Sequence, residues 1–581
     1  PTSSGDRVAA RAMLAAVACA AVIAYARLFG APFLTWDDDR NIVLNPLVRS
    51  GNLGALWAAP WFGLYVPVTS TVWAALWHLG DGDAWPYRAY NIAVHLASTA
   101  LVWLLIVRVG RLAAAERAGL RTDGLATAAA IGATGFALHP LQVAAVGWIS
   151  GGRDVTATFL ALAAVLTWLR FTRGATVAAT VLFAAALLAK PSVATVPLAV
   201  LAVVAFGGRA ALRRAAPAMA VWTALAVGAA LLTAGVQSDM ATVAVPLPER
   251  PAVAIDALGF YLVKLVAPAG LTGDHGRTPA WLGEHAGALV PTFIAVALVA
   301  IAVAIWRRHG ATPWMVAWAV LLAPVLGVAT FSFQRISTVA DHYAYLPMVA
   351  VAGAITALVL PAVERRRGAV VGAWAAVLVA ATAATWWRAG VWTSDAALFG
   401  EMVRETPASF SGLTNLAKLA CDAGDAARGA ALTARALAVD PANPATLATR
   451  ADCLVRAGDY GAAAAMADRL SFPSVQRTLA RDDAVAAGFV NSIAGGLFQS
   501  GRPEEGWPYL CQAVAVRPQD DYLQANLRDI QADFARRGWS ARCGGRLAWR
   551  DFAASVRLGR ARADSAKQLE PVQLRQGSSR R

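Results

Sequence analysis

The sequence is poor in charged residues and in cysteine. Only 15% of its 581 residues are charged, compared with ~25% in a typical soluble domain, and 58% are hydrophobic. This composition excludes an intrinsically disordered chain, and five cysteines are too few for a disulfide-rich scaffold. The cysteines are Cys19, Cys421, Cys453, Cys511 and Cys543, and their spacing matches no metal-binding motif. We therefore expect a protein that is mostly embedded in a membrane and has no obligatory metal or cofactor.

The acidic residues are outnumbered by basic ones, 36 to 51, which gives a formal net charge of +15. Such an excess suits nucleic-acid binding, but nine Arg or Lys and only three acids follow residue 543. Most of the other arginines flank hydrophobic runs, where the positive-inside rule explains them. We therefore expect membrane lipid, and no nucleic acid, as a partner.

Eleven hydrophobic runs are candidate membrane spans. They lie at about 8–29, 91–109, 125–147, 154–171, 175–189, 192–206, 217–235, 287–306, 312–330, 345–360 and 369–387. Every second connection is rich in arginine, for example 108–121 and 365–367, which assigns those connections to the cytoplasm. The alternate connections collect acidic residues and are predicted to face outward. The stretch 251–268 would break this alternation, so we interpret it as a re-entrant or interfacial helix.

The first run also resembles a cleavable signal peptide. Arg7 and Arg11 precede an apolar core, and Ala24-Tyr25-Ala26 stands at a plausible cleavage position. We favour a retained first span, because the next feature is a functional-looking loop. The odd number of spans then puts the C-terminal region on the outer face.

The region after Trp392 contains a repeat. Pro407 and Pro441 are 34 residues apart, as are Gly424 and Gly458, and a 34-residue helix–turn–helix period is typical of tetratricopeptide repeats. We predict a multi-span domain at 1–388, three to four degenerate repeats at 389–543, and a basic, largely disordered tail at 544–581. The repeats offer either a concave surface for a protein or peptide partner or a structural cap.

The first outer loop, 30–90, opens with "TWDDDRNIVLNP", which places three carboxylates directly after a span. Adjacent carboxylates repel each other, so the pKa of one can be raised, which suits a general base or a cation site. The alternative is a solvated acidic turn that caps the next helix.

Basic and polar residues stand at the ends of other outer connections. The candidates are His139, Arg153, Asp154, Lys190, Arg335, Asp341, His342 and Tyr343, with His275 and Arg277 in a further loop. Each of these cations, taken alone, is explained as a side chain that anchors its span at the membrane surface. Together they would form a basic ring facing an acidic cluster, suited to holding a lipid phosphate near a base.

These motifs resemble a known family. "WDD" before "NP", then "HPLxVxxVxWxxxxxD", "AKP" and "ADxYxYLP", followed by the repeats, are similar to bacterial relatives of the transmembrane-and-tetratricopeptide-repeat O-mannosyltransferases of the GT-C superfamily. The resemblance covers roughly 30–530. It implies an inverting multi-span transferase with its catalytic acid in the first outer loop and a polyprenyl- or dolichyl-phosphate-linked sugar as donor. Gln142 and Ala144 stand where relatives often carry His and Glu, and His342 stands where they carry Arg.

The leading hypothesis is an all-α, GT-C-like membrane glycosyltransferase of the bacterial inner membrane with a C-terminal repeat solenoid on the extracytoplasmic side. Asp38, with Asp37 as the alternate, would deprotonate a protein or glycan hydroxyl presented by the repeats, with mannose as the sugar that the resemblance suggests. Arg153, Lys190, Arg335 and His342 would neutralise the leaving phosphate. The remaining candidates, Asp154, Asp341, Tyr343 and His139, would complete the site.

Two other classes stay open. One is a non-catalytic membrane scaffold whose repeats recruit envelope proteins, which Gln142 and Ala144 favour. The other is an O-antigen-ligase-like enzyme, which would use basic residues of a late outer loop, such as His275 and Arg277.

Overall fold

The computed structural model describes residues 4–116, 122–205, 208–237, 245, 247–284, 296–297, 310–327, 332–480, 483–538 and 542–557. Within these ranges the chain is helical and has no β-strand, so the all-α prediction is confirmed. The chain divides into two compact units, Pro1–Glu405 and Thr406–Arg581. The boundary lies later than the one predicted at residue 388, because the helix that follows Trp392 belongs to the first unit.

The first unit is built mainly from α-helices, which range from 5 to 42 residues in length. They are α1 (Ser4–Tyr25), α2 (Pro46–Ser50), α3 (Leu53–Ala58), α4 (Pro67–Leu79), α5 (Trp85–Glu116), α6 (Leu125–Leu138), α7 (Val143–Gly147), α8 (Gly152–Trp168), α9 (Arg173–Ala189), α10 (Val196–Ala205), α11 (Arg209–Gln237), α12 (Arg250–Val266), α13 (Pro279–Glu284), α14 (Thr312–Leu322), α15 (Met348–Ala389) and α16 (Asp395–Glu405).

Five helices of the described residues are long and apolar enough to cross a membrane, or six if the bent pair Leu125–Leu138 and Pro140–Gly147 counts as one span. The predicted number of eleven is not confirmed. Three predicted runs form the shorter helices α9, α10 and α14, of 17, 10 and 11 residues, whereas a crossing takes ~20 residues. The predicted span 287–306 lies almost wholly outside the described residues.

Helix α1 is built into the first unit. Its small residues pack closely, with Ala10, Val17 and Ala21 fully buried. Asp6 accepts hydrogen bonds from the backbone N–H groups of Ala126 and Thr127, at 3.1 and 3.3 Å, and so satisfies donors at the beginning of α6. Retention of the first span stays a prediction.

Helix α12 corresponds to the stretch predicted to be re-entrant or interfacial. It is amphipathic and contacts the loop segments that follow it. The hydroxyl of Tyr261 donates to the carbonyl of Ala340 at 3.0 Å, and Asp256 pairs with Arg277 at 3.2 Å. The helix therefore ties two distant loops together.

The second unit is a series of helical hairpins. Its helices are α17 (Phe410–Asp422), α18 (Ala426–Val439), α19 (Pro444–Arg456), α20 (Tyr460–Ala465), α21 (Pro473–Leu479), α22 (Asp483–Gln499), α23 (Pro503–Val516) and α24 (Asp521–Arg536). Gly424, Gly458 and Gly501 all have positive φ in the turns between helices, which is the conformation that glycine adopts at least cost. Asp425 and Asp459 then cap the helices that follow.

Two disulfides join residues of the second unit, Cys421 to Cys453 and Cys511 to Cys543. Gly429 makes room for the first, because a Cβ atom there would collide with the Sγ of Cys421. Residues 549–557, which we assigned to the tail from 544, form a helix that buries Trp549 and Phe552. The folded unit therefore extends at least to residue 557, and the rest of the predicted tail lies outside the described residues.

Candidate functional site

Asp38 lies at the centre of the first loop and is fully buried. Its two carboxylate oxygens accept hydrogen bonds from the backbone N–H groups of Leu34, at 3.1 Å, and Ser150, at 2.8 Å. Burial raises the pKa of Asp38 to about 6, an effect that the positive charge of Arg88 and these hydrogen bonds partly offset. Asp38 thus fastens the first loop to the segment 148–151.

Asp37 has a different environment. Its φ is 68°, in the left-handed region that side-chain-bearing residues seldom adopt, and its side chain is partly exposed. Burial raises the pKa of Asp37, while the positive charges of Arg153 and Arg40 lower it in part. Strained backbone of this kind is concentrated at functional sites. Of the two sequence candidates for the catalytic base, Asp37 is the one that faces cationic side chains without being enclosed.

Arg153 and Lys190 come together from separate parts of the chain. The Nε of Arg153 donates to the carbonyl of Ser150 at 2.9 Å, and its guanidinium lies 5.5 Å from the ring centroid of Trp148. Lys190, at the end of α9, pairs with Asp154 at 2.6 Å. The other carboxylate oxygen of Asp154 is buried and has no hydrogen-bond partner among the described residues.

The turn Asp341–Ala344 brings two further candidates to these cations. His342 lies 5.3 Å from the ring of Trp148 and 4.4 Å from that of Tyr343, and Lys190 lies 5.8 Å from the Tyr343 ring centroid. Burial lowers the pKa of His342 well below its ordinary value, and the charges of Lys190 and Arg153 lower it further. His342 is therefore a neutral imidazole at neutral pH, a polar partner without a standing charge.

The structure thus gathers most of the sequence-predicted residues around Trp148. The set that we call the candidate site consists of Asp37, Arg153, Asp154, Lys190, His342 and Tyr343. They come from the first loop, the segment 148–154, the α9–α10 junction and the turn 341–344.

Two other predicted residues, His139 and Asp341, lie elsewhere. His139 caps the turn that follows α6, because its Nδ1 accepts from the N–H of Leu141 at 3.2 Å. Asp341 faces His275 and Arg388, at 2.8 and 3.3 Å, and not the candidate site. The side chain of Arg335 lies outside the described residues.

Arg88 is a supporting residue that the sequence analysis missed. It is fully buried near the beginning of α5 and donates to the carbonyls of Gly147 and Pro32. Its positive charge also lowers the pKa of Asp38 and so partly offsets the effect of burial. The sequence contains a signal for Arg88. This arginine stands next to a hydrophobic run in a connection that is predicted to face outward, whereas most of the arginines beside such runs lie in connections predicted to be cytoplasmic.

Gln142 is fully buried in the turn before α7. Neither its amide nitrogen nor its amide oxygen has a hydrogen-bond partner among the described residues. Ala144, two residues further on, is also buried. Neither position offers an ionisable group.

Comparisons with protein-family models, curated proteins and solved structures find no match to this chain. Among the described residues, no group of three or more His, Cys, Asp or Glu side chains is arranged to hold a metal ion. Function must therefore be argued from the chemistry of the candidate site.

Proposed function

We propose that this protein is an integral-membrane glycosyltransferase that moves a sugar from a polyprenyl-phosphate carrier to a hydroxyl acceptor, with mannose the sugar suggested by the resemblance. The observation that carries the proposal is the meeting of cations and carboxylates from four separate chain segments at the candidate site. Such a site can serve both halves of the reaction, since fixed cations stabilise a leaving phosphate and a carboxylate accepts a proton.

In this proposal Asp37 is the general base. It takes the proton of the acceptor hydroxyl while that oxygen attacks the anomeric carbon, and the bond between this carbon and the phosphate oxygen breaks. The electron pair leaves with the phosphate. Because the hydroxyl attacks from the face opposite the leaving phosphate, the configuration at the anomeric carbon is inverted. Asp38 is less suited to this step, because both of its oxygens already accept backbone hydrogen bonds.

Arg153 and Lys190 are the proposed phosphate ligands. Arg153 is anchored through a single nitrogen, Nε, to the Ser150 carbonyl, and Lys190 is held by one oxygen of Asp154. The unpartnered oxygen of Asp154 suits a sugar hydroxyl, which would donate a hydrogen bond to it. His342 then contributes a hydrogen bond to the phosphate or sugar, and no charge of its own.

A multi-pass topology is part of the proposal. Helix α15 contains 42 residues, or ~63 Å at ~1.5 Å per residue, about twice the ~30 Å hydrocarbon core. Its backbone is non-helical at Arg366, within the run Arg365–Arg367. This supports the two predicted spans 345–360 and 369–387, joined at a cytoplasmic arginine turn.

The second unit is proposed to be a tetratricopeptide-repeat solenoid on the extracytoplasmic side, where it would present a protein or glycan acceptor. Its hairpins, with positive-φ glycines 34 residues apart at Gly424 and Gly458, support the repeat assignment. Its two disulfides support the location, since such bonds persist in oxidising compartments such as the bacterial periplasm.

The O-antigen-ligase-like alternative has less support. It needs His275 and Arg277 at a reaction centre, whereas His275 is paired with Asp341 and Arg277 with Asp256.

The scaffold alternative is favoured by one observation, the absence of ionisable groups at Gln142 and Ala144.

The test is transfer of a radiolabelled sugar from a polyprenyl phosphate by the purified full chain in lipid nanodiscs. We expect transfer to peptide or glycan acceptors that is lost in Asp37→Asn. Binding of the donor lipid without transfer to any acceptor, together with recruitment of envelope proteins by the second unit, would favour the scaffold instead.

Sidedness is tested separately in a Cys19→Ser background, which removes the free cysteine. Single cysteines at the exposed positions Asp83 and Arg173 should be labelled by an impermeant maleimide from opposite faces. Labelling of both from the same face would contradict the proposed topology.

A further inference from the structure

The turn Asp341–Ala344 is held from one side and presents its other side to the candidate site. Asp341 has a side chain that is only 1% exposed, and each of its oxygens has a basic partner. The Nε2 of His275 lies 2.8 Å from Oδ1, and a terminal nitrogen of Arg388 lies 3.3 Å from Oδ2. The next two residues, His342 and Tyr343, contact Trp148 and Lys190 instead.

Each partner of Asp341 is itself fixed. Arg388, near the end of α15, also contacts Glu401 of α16 at 3.4 Å, and Glu401 is bound in turn by Arg404 at 2.7 Å. The ring of His275 packs edge-on against Phe260 at 4.7 Å. Asp341 therefore connects the loop 272–277, the end of α15 and the helix α16 to the turn.

Hydrogen bonds also hold the residues on either side of the turn. Thr338 donates through both its N–H and its hydroxyl to the carbonyl of Arg277, at 2.8 and 2.9 Å. Ala340 exchanges hydrogen bonds with the hydroxyl of Tyr261, and the hydroxyl of Tyr345 lies 2.8 Å from Nδ1 of His95. Both flanks of the turn are therefore held by neighbouring elements, and the side chain of Asp341 adds an attachment within the turn itself.

We propose that Asp341, His275 and Arg388 form a positioning group that fixes the orientation of His342 and Tyr343 in the candidate site. These three residues touch no substrate and act through the turn. The inference rests on the proposed function for its consequence in donor binding, but the geometric claim stands without it. In this proposal the loop 272–277 supports the candidate site. The ligase-like alternative instead requires this loop to contact the phosphate.

The geometric claim is tested by incorporating 3-fluorotyrosine at position 343 and recording the fluorine resonance of the full chain in nanodiscs. His275→Ala and Asp341→Asn should shift or broaden the resonance. His275→Gln should restore the wild-type position, since its amide N–H can still donate to Asp341. Arg277→Ala is the matched control, because it removes a neighbouring charge of the same loop that does not touch Asp341.

An unchanged resonance in both His275→Ala and Asp341→Asn, with melting temperatures showing that both variants fold, would overturn the proposal. An equal shift in Arg277→Ala would also overturn it, because the effect would then belong to the loop as a whole. This readout needs no donor, so it decides the inference even if the chain transfers no sugar.

The consequence for function is tested with undecaprenyl phosphate as the probe. His275→Ala should weaken its binding about tenfold, a size common for coupled neighbouring residues. The same substitution should have little further effect in a His342→Ala background, since the positioning group acts through His342 and its neighbour. Additive losses would show that His275 acts independently of His342, which contradicts the positioning role. Absence of binding by the wild-type chain would count against the proposed function alone.

Discussion

The positioning group and the candidate site meet at two consecutive residues, Asp341 and His342, and they differ in how fully their carboxylates are paired. In the positioning group, both oxygens of Asp341 have basic partners and Arg388 is shared between two carboxylates. In the candidate site, one oxygen of Asp154 has no hydrogen-bond partner among the described residues, and Asp37 holds a strained backbone conformation. A folded chain seldom leaves buried polar atoms unpaired without a reason. The contrast separates charges that maintain the fold from charges available to a ligand.

The largest effect on sugar transfer should come from substitution of Asp37, the proposed base. Asp37→Asn keeps the shape of the side chain but cannot accept a proton, so sugar transfer should fall by ~10²–10⁴. Donor binding and melting temperature should change little, and an asparagine tolerates the positive φ at this position. The measurement is single-turnover transfer with Asp83→Asn as control, since Asp83 is an exposed carboxylate of the same loop. Full activity in Asp37→Asn would remove it as the base.

The next effect concerns the proposed phosphate ligands. Arg153→Ala should weaken binding of undecaprenyl phosphate by ~1.5–3 kcal/mol, the range of a charge-assisted hydrogen bond. Arg153→Lys should recover only part of this, because an ammonium cannot make the two-pronged contact of a guanidinium. Arg173→Ala removes an exposed arginine at the beginning of α9 and serves as the control. Wild-type affinity in Arg153→Ala would mean that Arg153 packs against Trp148 and does not bind the phosphate.

The sequence was sufficient to identify the helical class, the turn glycines and most of the candidate site. Those residues stand out because charges beside apolar runs are costly in a membrane. It could not distinguish Asp37 from Asp38, since the difference depends on a backbone angle and on a hydrogen bond to Ser150, 112 residues away. It also could not separate Asp341 from His342, whose side chains leave the same turn in different directions.

The predicted number of spans is not confirmed, for a different reason. Hydrophobicity identifies runs such as 175–189 and 192–206, but not how the chain breaks between them, and a five-residue 3₁₀ turn at Pro191–Thr195 leaves only short helices there. The helix at 549–557 was overlooked in a basic segment. Its apolar residues Trp549, Phe552 and Val556 are three and four residues apart, which is a helical spacing that could have been recognised.

A smaller effect is expected at the enclosed carboxylate of the first loop. Asp38→Asn leaves one of the two backbone N–H groups without an acceptor, so stability should fall by ~1–3 kcal/mol. Chemical denaturation in detergent measures the loss, and sugar transfer should fall only as far as the loop is disturbed.

The pH dependence of stability gives Asp38 a distinct signature. Because its pKa is raised to about 6, the folded chain retains a proton between roughly pH 4 and pH 6 that the unfolded chain has released. The contribution of this group is therefore complete below roughly pH 4 and is lost as the pH rises towards 6. Asp38→Asn should remove this slope. An identical slope in the variant would mean that Asp38 titrates normally in the folded chain.

The smallest effect is expected at Asp6, which resembles Asp341 in that both of its carboxylate oxygens have partners. Its oxygens accept from the backbone of Ala126 and Thr127, from the Thr127 hydroxyl at 2.7 Å and from Arg367 at 3.0 Å. Asp6→Asn keeps one acceptor oxygen, so the loss should be ~0.5–2 kcal/mol, the range for a helix cap. Because Asp6 maintains the contact between α1 and α6 and touches none of the candidate-site residues, affinity for undecaprenyl phosphate should be unchanged. A fall in affinity without a fall in melting temperature would show that complete pairing does not distinguish structural from functional charges in this protein.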